Sequence, residues 1–232
     1  MVTLRAAADR GHANHGWLDS HHSFSFGDYY DAAQMGFGAL RVINEDRVQP
    51  GMGFGTHGHR DMEIISYVLE GELSHQDSMG TGSVIVPGDV QRMSAGRGVQ
   101  HSEFNPSKAA GVHFLQIWIE PSARGIAPSY EQANVATDAK RGKLALIAAP
   151  AGEGGAVALH QDARIFATLL DGAEHLSHAL AVGRRAYVHV ARGSLSVNGQ
   201  ALGTGDAVRI ENESEVRLHD GHGAEVLLFD LP

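Results

Sequence analysis

Two short histidine-bearing stretches hold the residue types from which a mononuclear metal centre is built. The first is Gly55-Thr56-His57-Gly58-His59-Arg60-Asp61-Met62-Glu63 and the second is Gly96-Arg97-Gly98-Val99-Gln100-His101-Ser102-Glu103. With 15 His in 232 residues, about one H-x-H and about one H-x-E arise by chance, so neither motif means much alone. Their setting raises the odds. Residues two apart on a strand share a face, which makes His57 with His59, and His101 with Glu103, same-side pairs. Two such strands facing each other inside a barrel would bring four donors to one point. Glycines flank both pairs, strand-like runs adjoin them, and the chain between them is long enough for intervening hairpins.

The chain has no cysteine. Structural disulfides, thiolate zinc sites, iron–sulfur clusters and a cysteine nucleophile are thereby excluded, and any metal must be held by nitrogen and oxygen. Three neutral imidazoles and one carboxylate around a divalent ion leave a net charge of about +1, and a six-coordinate ion keeps about two positions open for water, oxygen or substrate. That is a catalytic layout. Iron, nickel, copper, manganese and zinc all suit such donors, and zinc drops out if the reaction is a redox one.

The elements that must position these residues read as β-structure. Glycine, at 29 of 232 residues, punctuates short apolar runs at close intervals. Ile64 to Leu69, Val84 to Val86, Val112 to Ile119 and Val226 to Phe229 are of strand length and rich in β-branched or aromatic residues. Short helices are expected only around Ser129 to Ala136 and Glu174 to Ala181. The order strand, Gly turn, strand, Gly-Asp, strand occurs twice. Gly71 superposes on Gly193 at an offset of 122 and Gly88 on Gly205 at 117, which implies two related β-units with a five-residue indel between the copies. Their joint falls in Pro121 to Gly142. At the offset of 122, His57, His59 and Glu63 map to Ala179, Ala181 and Arg185, so no comparable metal site is expected in the second unit.

The formal charge of −9, without a Lys/Arg cluster, argues against direct binding to nucleic acid. Neither a stretch of signal-peptide type nor a run of about 20 apolar residues is present, so the expectation is a cytoplasmic protein without membrane partners.

The chain resembles the pirins of the cupin superfamily, and especially the bacterial pirin-like quercetin 2,3-dioxygenases. The resemblance is strongest from Gly16 to Tyr130. It runs through Gly16-Trp17-Leu18, Ser23-Phe24-Ser25-Phe26, Asp28-Tyr29-Tyr30, Gly36-Phe37-Gly38, Arg41 to Asp46, the two histidine motifs and Trp118-Ile119-Glu120-Pro121. It implies an all-β bicupin of two antiparallel, jelly-roll β-barrels: a metal-binding cupin domain over residues 1–130 and a cupin domain without ligands over 131–232. It also implies one divalent ion per chain, iron first, with zinc, nickel, copper, manganese or cobalt admissible, bound by His57, His59, His101 and Glu103. The general cupin motif would instead take its carboxylate from Glu63, and the pirin pattern selects Glu103. Glu103 is then the first choice for general base and Glu63 the reserve.

The activity so implied is oxygenolytic ring opening of a flavonol. The substrate's 3-hydroxyl binds the open metal position and loses its proton, and the electron-rich enolate reacts with dioxygen to give carbon monoxide and a depside. The alternative is an iron-binding regulatory module acting through a protein partner. Phe24, Phe26, Phe37, Met52, Phe54 and Met93 are candidates for an apolar pocket over the metal, Met52 and Phe54 foremost. The other histidines, including His12, His15, His21 and His22, read as surface or supporting residues.

Overall fold

The computed structural model describes all 232 residues. Twelve strands precede one four-residue helix: β1 (Val2–Arg5), β2 (Gly11–Asn14), β3 (Leu18–His22), β4 (Leu40–Val48), β5 (Gly53–His59), β6 (Glu63–Glu70), β7 (Leu73–Asp77), β8 (Gly82–Ile85), β9 (Asp89–Ser94), β10 (Val99–Phe104), β11 (Val112–Ile119), β12 (Ser129–Asn134), then α1 (Thr137–Lys140). Eight follow: β13 (Ala145–Pro150), β14 (Val157–Leu159), β15 (Arg164–Gly172), β16 (Leu176–Ala179), β17 (Arg185–Val197), β18 (Gln200–Gly203), β19 (Ala207–Ile210) and β20 (Glu215–Leu231). No helix is long and apolar enough to cross a membrane.

Both expected helices are strands. Ser129 to Asn134 pairs along β9 from Ser94 to Asp89, and Leu176 to Ala179 pairs with the start of β20. Ladder hydrogen bonds to a ready neighbour outweigh the modest helix propensity of these polar stretches.

Two compact units form. One comprises Gly11–Asn134 with Val157–Gln161, the other Met1–Arg10, Val135–Ala156 and Asp162–Pro232. These bounds differ from a single cut after residue 130. The first ten residues belong with the later unit because β1 pairs with β19.

The earlier unit holds a seven-stranded sheet, β12-β9-β6-β11-β4-β3-β2, and a four-stranded sheet, β5-β10-β7-β8. Alternation along the strands puts one face of the large sheet inside this barrel. On that face the register aligns His22, Asn44, Gln116, Ser66 and Gln91 across five strands as a polar belt. Ser20, Asp46 and Phe114 form the next row. Leu18, Val48, Val68, Leu73, Ile85, Val112 and Phe114 close one side of the belt as an apolar cluster, with Trp17 and Phe54 against it. Ile64, Met93, Ala95 and Val99 close the other, with Trp118.

The later unit repeats this plan. β17 pairs with β19, β20 and β18 much as β6 and β7 pair with β9, β11 and β8. The expected equivalence of Gly71 and Gly193 has a physical basis. Both have positive φ, +74° and +69°, and a Cβ would lie 2.5 Å from the Gly111 carbonyl oxygen in one and 2.4 Å from the Gly223 carbonyl oxygen in the other. Only glycine lets the ladder turn there.

Pairing also corrects the mapping of the site. With His75 on Val197, the partners Glu103 and Leu218 correspond, which places His101 on Val216, His57 on His178 and His59 on Leu180, one residue from the positions read at constant offset. Leu180, Val197, Val216 and Leu218 are packed in one apolar core. Hydrocarbon thus takes the places of His59, His101 and Glu103, and His178, in the place of His57, is 2.8 Å from Asp230.

Candidate metal centre

His57 and His59 lie on β5, and His101 and Glu103 on β10, its hydrogen-bonded neighbour. The two motifs therefore sit side by side in one sheet rather than facing each other across the barrel. His57 is directly opposite His101, and the register shifts between His101 and Glu103, where Glu103 pairs with Phe54. This bulge takes up Gly55 and Thr56. It turns the Gly55 carbonyl to accept a hydrogen bond from His57 Nδ1 at 2.8 Å.

The three imidazoles meet. Ring centroids are 4.7 Å apart for His57 and His59, 4.4 Å for His57 and His101, and 4.9 Å for His59 and His101. One donor atom from each falls within 4.8 Å of the others, and Glu103 adjoins His101 within the same limit.

The hydrogen-bond network sets the tautomers. His57 uses its Nδ1–H on Gly55, which leaves a lone pair on Nε2. Asp77 Oδ1 is anchored by the amides of Met79 and Thr81, and its Oδ2 accepts from His75 Nε2 at 3.1 Å. His75 Nδ1 thus carries a lone pair and takes a long hydrogen bond from His101 Nδ1, at 3.5 Å. His101 Nε2 is left as an acceptor, 3.0 Å from His57 Nε2. Two lone pairs at that separation repel unless a cation lies between them.

A proton is a poor candidate for that cation. Burial, then the neighbouring His57, holds His59 down at about 4. Burial, then His57, His59 and His75, holds His101 at about 2. The donor set fits a divalent metal, with the Asp77–His75 pair behind His101 as the outer partner that orients metal-binding histidines. Neither residue stood out in the sequence, although the H-x-D spacing of His75 and Asp77 puts both on one strand face. Replacing His75 by Phe is expected to weaken metal binding about 10- to 100-fold, read by competition against a chromophoric chelator.

Glu103 is wholly inside. Burial pushes its carboxyl up to about 7 against a hydrogen bond from Ser66, with Asp46 adding to the rise and Gln116 opposing it. Ser66 Oγ donates to Oε1 at 3.2 Å and Gln116 Nε2 to Oε2 at 2.8 Å. Trp118 Nε1 in turn donates to Gln116 Oε1 at 3.2 Å, which fixes the amide so that its NH2 faces Glu103. A metal ligand must be deprotonated, and of these three groups only Glu103 holds its proton near neutrality. Metal affinity is thus expected to rise about tenfold per pH unit up to about 7 and to level off above it, with one proton released, as a calorimetric titration in two buffers would measure.

Glu63 is elsewhere. Its neighbours in sequence and register, Ile64 and Trp118, belong to the interior face, so alternation turns Glu63 to the opposite face of the sheet. There it is 0% exposed, accepts from Ser94 Oγ at 3.0 Å and lies 3.2 Å from His160 Nδ1. It is part of the wall, on the face away from the histidine cluster.

A cleft of about 720 Å³ opens beside His57, His59 and Glu103. Trp17, Phe26, Tyr29, Phe54 and Trp118 give it aromatic walls, and Ser20, His22, Asn44, Asp46 and Gln116 add polar groups. Of the expected pocket residues, Phe26 and Phe54 line it. Phe24, Phe37 and Met93 are buried in packing instead. Met52 is 43% exposed because it sits in the turn before β5, its amide bonded to Gln49. His12, His15 and His22 also border the cleft.

Comparison with known proteins agrees with this fold. Residues 3–119 match the pirin family and residues 146–231 the quercetinase C-terminal cupin domain. A protein of Escherichia coli K12 named quercetin 2,3-dioxygenase is 48% identical, over 100% of this chain and 99% of that one. A pirin-like protein of Caulobacter vibrioides is 39% identical over 99% of each. The crystal structure of the Escherichia coli bacterial pirin YhhW in complex with nickel(II) superposes with a TM-score of 0.95 at 46% identity, covering 100% of this chain and 99% of that one. Matched in both halves and by full-length relatives, the chain belongs to the pirin family and has its all-β bicupin fold.

Proposed function

We propose that this chain is a dioxygenase that opens the heterocyclic ring of flavonols such as quercetin. One divalent ion, iron in the cell, is held by His57, His59, His101 and Glu103. The observation that supports it is the pair of imidazole lone pairs 3.0 Å apart at the wall of an aromatic cleft. The relatives named quercetin 2,3-dioxygenase point to the same substrate class. When bound, the ion polarises a substrate oxygen and supplies one-electron chemistry toward dioxygen.

The remaining work falls to side chains. Trp17, Phe26, Phe54 and Trp118 present apolar surface to a flat ring system and keep water from it. Glu103, oriented by Ser66 and Gln116, accepts the proton of the flavonol 3-hydroxyl. Addition of dioxygen to the resulting enolate and loss of carbon monoxide then give the depside.

The test follows quercetin absorbance with metal-loaded protein, with and without oxygen. Oxygen-dependent loss supports the reading. No loss in air sinks it, and capture of a protein partner that depends on the oxidation state of the iron would then favour the regulatory alternative.

A further inference from the structure

The cleft holds a second buried carboxylate, close enough to Glu103 to raise its pKa, that the chemistry above leaves unused. Asp46 is 3% exposed, lines the cleft, and stands on the interior face of β4. Its side chain has one hydrogen-bond partner, the Ser20 hydroxyl on the neighbouring strand. Burial, against the Ser20 hydrogen bond, raises Asp46 to about 7, so above that pH the carboxylate takes the Ser20 proton and the contact of 2.8 Å between Ser20 Oγ and His22 Nε2 runs from the imidazole N–H to the hydroxyl oxygen. The chain His22 to Ser20 to Asp46 therefore has a single direction. Every donor in it points at the carboxylate, and the other carboxylate oxygen is left to take a donor from the cleft.

Asn44, next to this chain in the polar belt, is 2% exposed and has its Oδ1 without a partner. A buried carboxylate with spare acceptor capacity, set in the wall of a cleft rich in aromatic rings, describes a subsite that wants a hydrogen-bond donor. Ionised Asp46 offers no donor to a carbonyl or an ether oxygen, whereas a hydroxyl can donate to it.

We propose that Asp46, aligned by Ser20 and His22, is a specificity-determining residue that accepts a hydrogen bond from a ring hydroxyl of a polyhydroxylated aromatic substrate, a hydroxyl other than the one that approaches the metal. This rests on the reading of the cleft as a flavonol site. It sharpens that reading by requiring a second free hydroxyl on the ligand. A site built to pair a buried acceptor with a hydroxyl rejects the analogue that lacks the proton, because the acceptor is then left desolvated and unpaired.

The experiment measures binding without turnover. Zinc-loaded protein under nitrogen is titrated with quercetin and with each of its mono-O-methyl ethers blocked away from the 3-hydroxyl. Quenching of the two tryptophans, Trp17 and Trp118, both of which line the cleft, reports binding. Wild-type protein is expected to bind quercetin about 10- to 100-fold more tightly than one of these ethers. Asp46→Asn is expected to lose about 10- to 100-fold for quercetin and nearly all of the methylation penalty, with zinc content unchanged.

Quercetin binding within about twofold of wild type in Asp46→Asn, with the penalty intact, overturns the assignment. Ser20→Ala, which keeps the carboxylate and removes its aligning donor, gives a second reading should Asp46→Asn fail to fold. It is expected to narrow the penalty about threefold or more, and an unchanged penalty overturns the assignment equally. Asp46-dependent discrimination in a protein that consumes no oxygen would uphold this subsite while sinking the dioxygenase reading. Turnover with no effect at Asp46 would do the reverse, and a wild type that binds none of these ligands sinks both.

Discussion

Glu103→Gln is expected to lower kcat for flavonol ring opening by about 10²- to 10⁴-fold, the range lost when a positioned general base is removed. The substitution keeps the volume of the side chain and its place on β10. The new carbonyl oxygen can face the Gln116 NH2 and the new NH2 can donate to the Ser66 hydroxyl oxygen, so both partners are kept and the fold is preserved. Bound metal falls in parallel, because an amide oxygen is a weaker ligand than a carboxylate. Full metal content in Glu103→Ala would remove it from the ligand set. Glu63→Gln provides the contrast. That side chain lies on the far face of the sheet against Ser94 and His160, and kcat is expected to stay within about twofold, since no interaction that changes in the transition state is touched. A larger fall for Glu63 than for Glu103 would reverse the assignment of the base.

His101→Ala is expected to weaken metal binding by more than about 100-fold, beyond the 10- to 100-fold cost of losing an outer partner such as His75. His101 is the central imidazole. It faces His57 on one side, His59 on another, and receives its orientation from the Asp77–His75 pair behind it. Without it, His57 keeps only His59 as a convergent neighbour, and the three-imidazole arrangement is lost along with one donor. Thermal unfolding gives an independent reading. At a free metal concentration of 100 times its dissociation constant, the wild-type fold gains about 2.7 kcal/mol, and that metal-dependent rise in Tm is expected to vanish in the variant. An unchanged rise would mean that the stabilising ion binds elsewhere.

Much of this arrangement is legible in the sequence, and the gaps have identifiable causes. The long apolar runs at Ile64–Leu69 and Val112–Ile119 form β6 and β11 because fully buried strands need β-branched and aromatic residues on both faces. The spacing of His57 and His59, and of His101 and Glu103, reads directly as shared faces. Choosing between Glu63 and Glu103 is harder from spacing alone, because the strand break at Arg60 to Met62 resets which residues face inward. The pairing of Ile64 with Trp118 is what turns Glu63 to the face away from the histidines. The role of Asp77 and His75 escapes the sequence for a related reason. Their partner His101 is 26 residues away from His75, and a contact across a ladder has no local signature. The strand β12 is missed because Ser129 to Asn134 is polar and rich in helix-tolerant residues, while its conformation is imposed by β9. The mapping between the two units slips by one residue at β16 because a fixed offset ignores where the ladder places each strand.

The central claim is that four side chains from two neighbouring strands hold a single divalent ion. Anomalous diffraction from crystals of the protein loaded with nickel tests it most directly. One dominant peak is predicted, about 2.0–2.2 Å from an imidazole nitrogen of each of His57, His59 and His101 and from a carboxylate oxygen of Glu103. No peak at that point, or a dominant peak at another histidine cluster such as His12, Asp19 and His21, would contradict it.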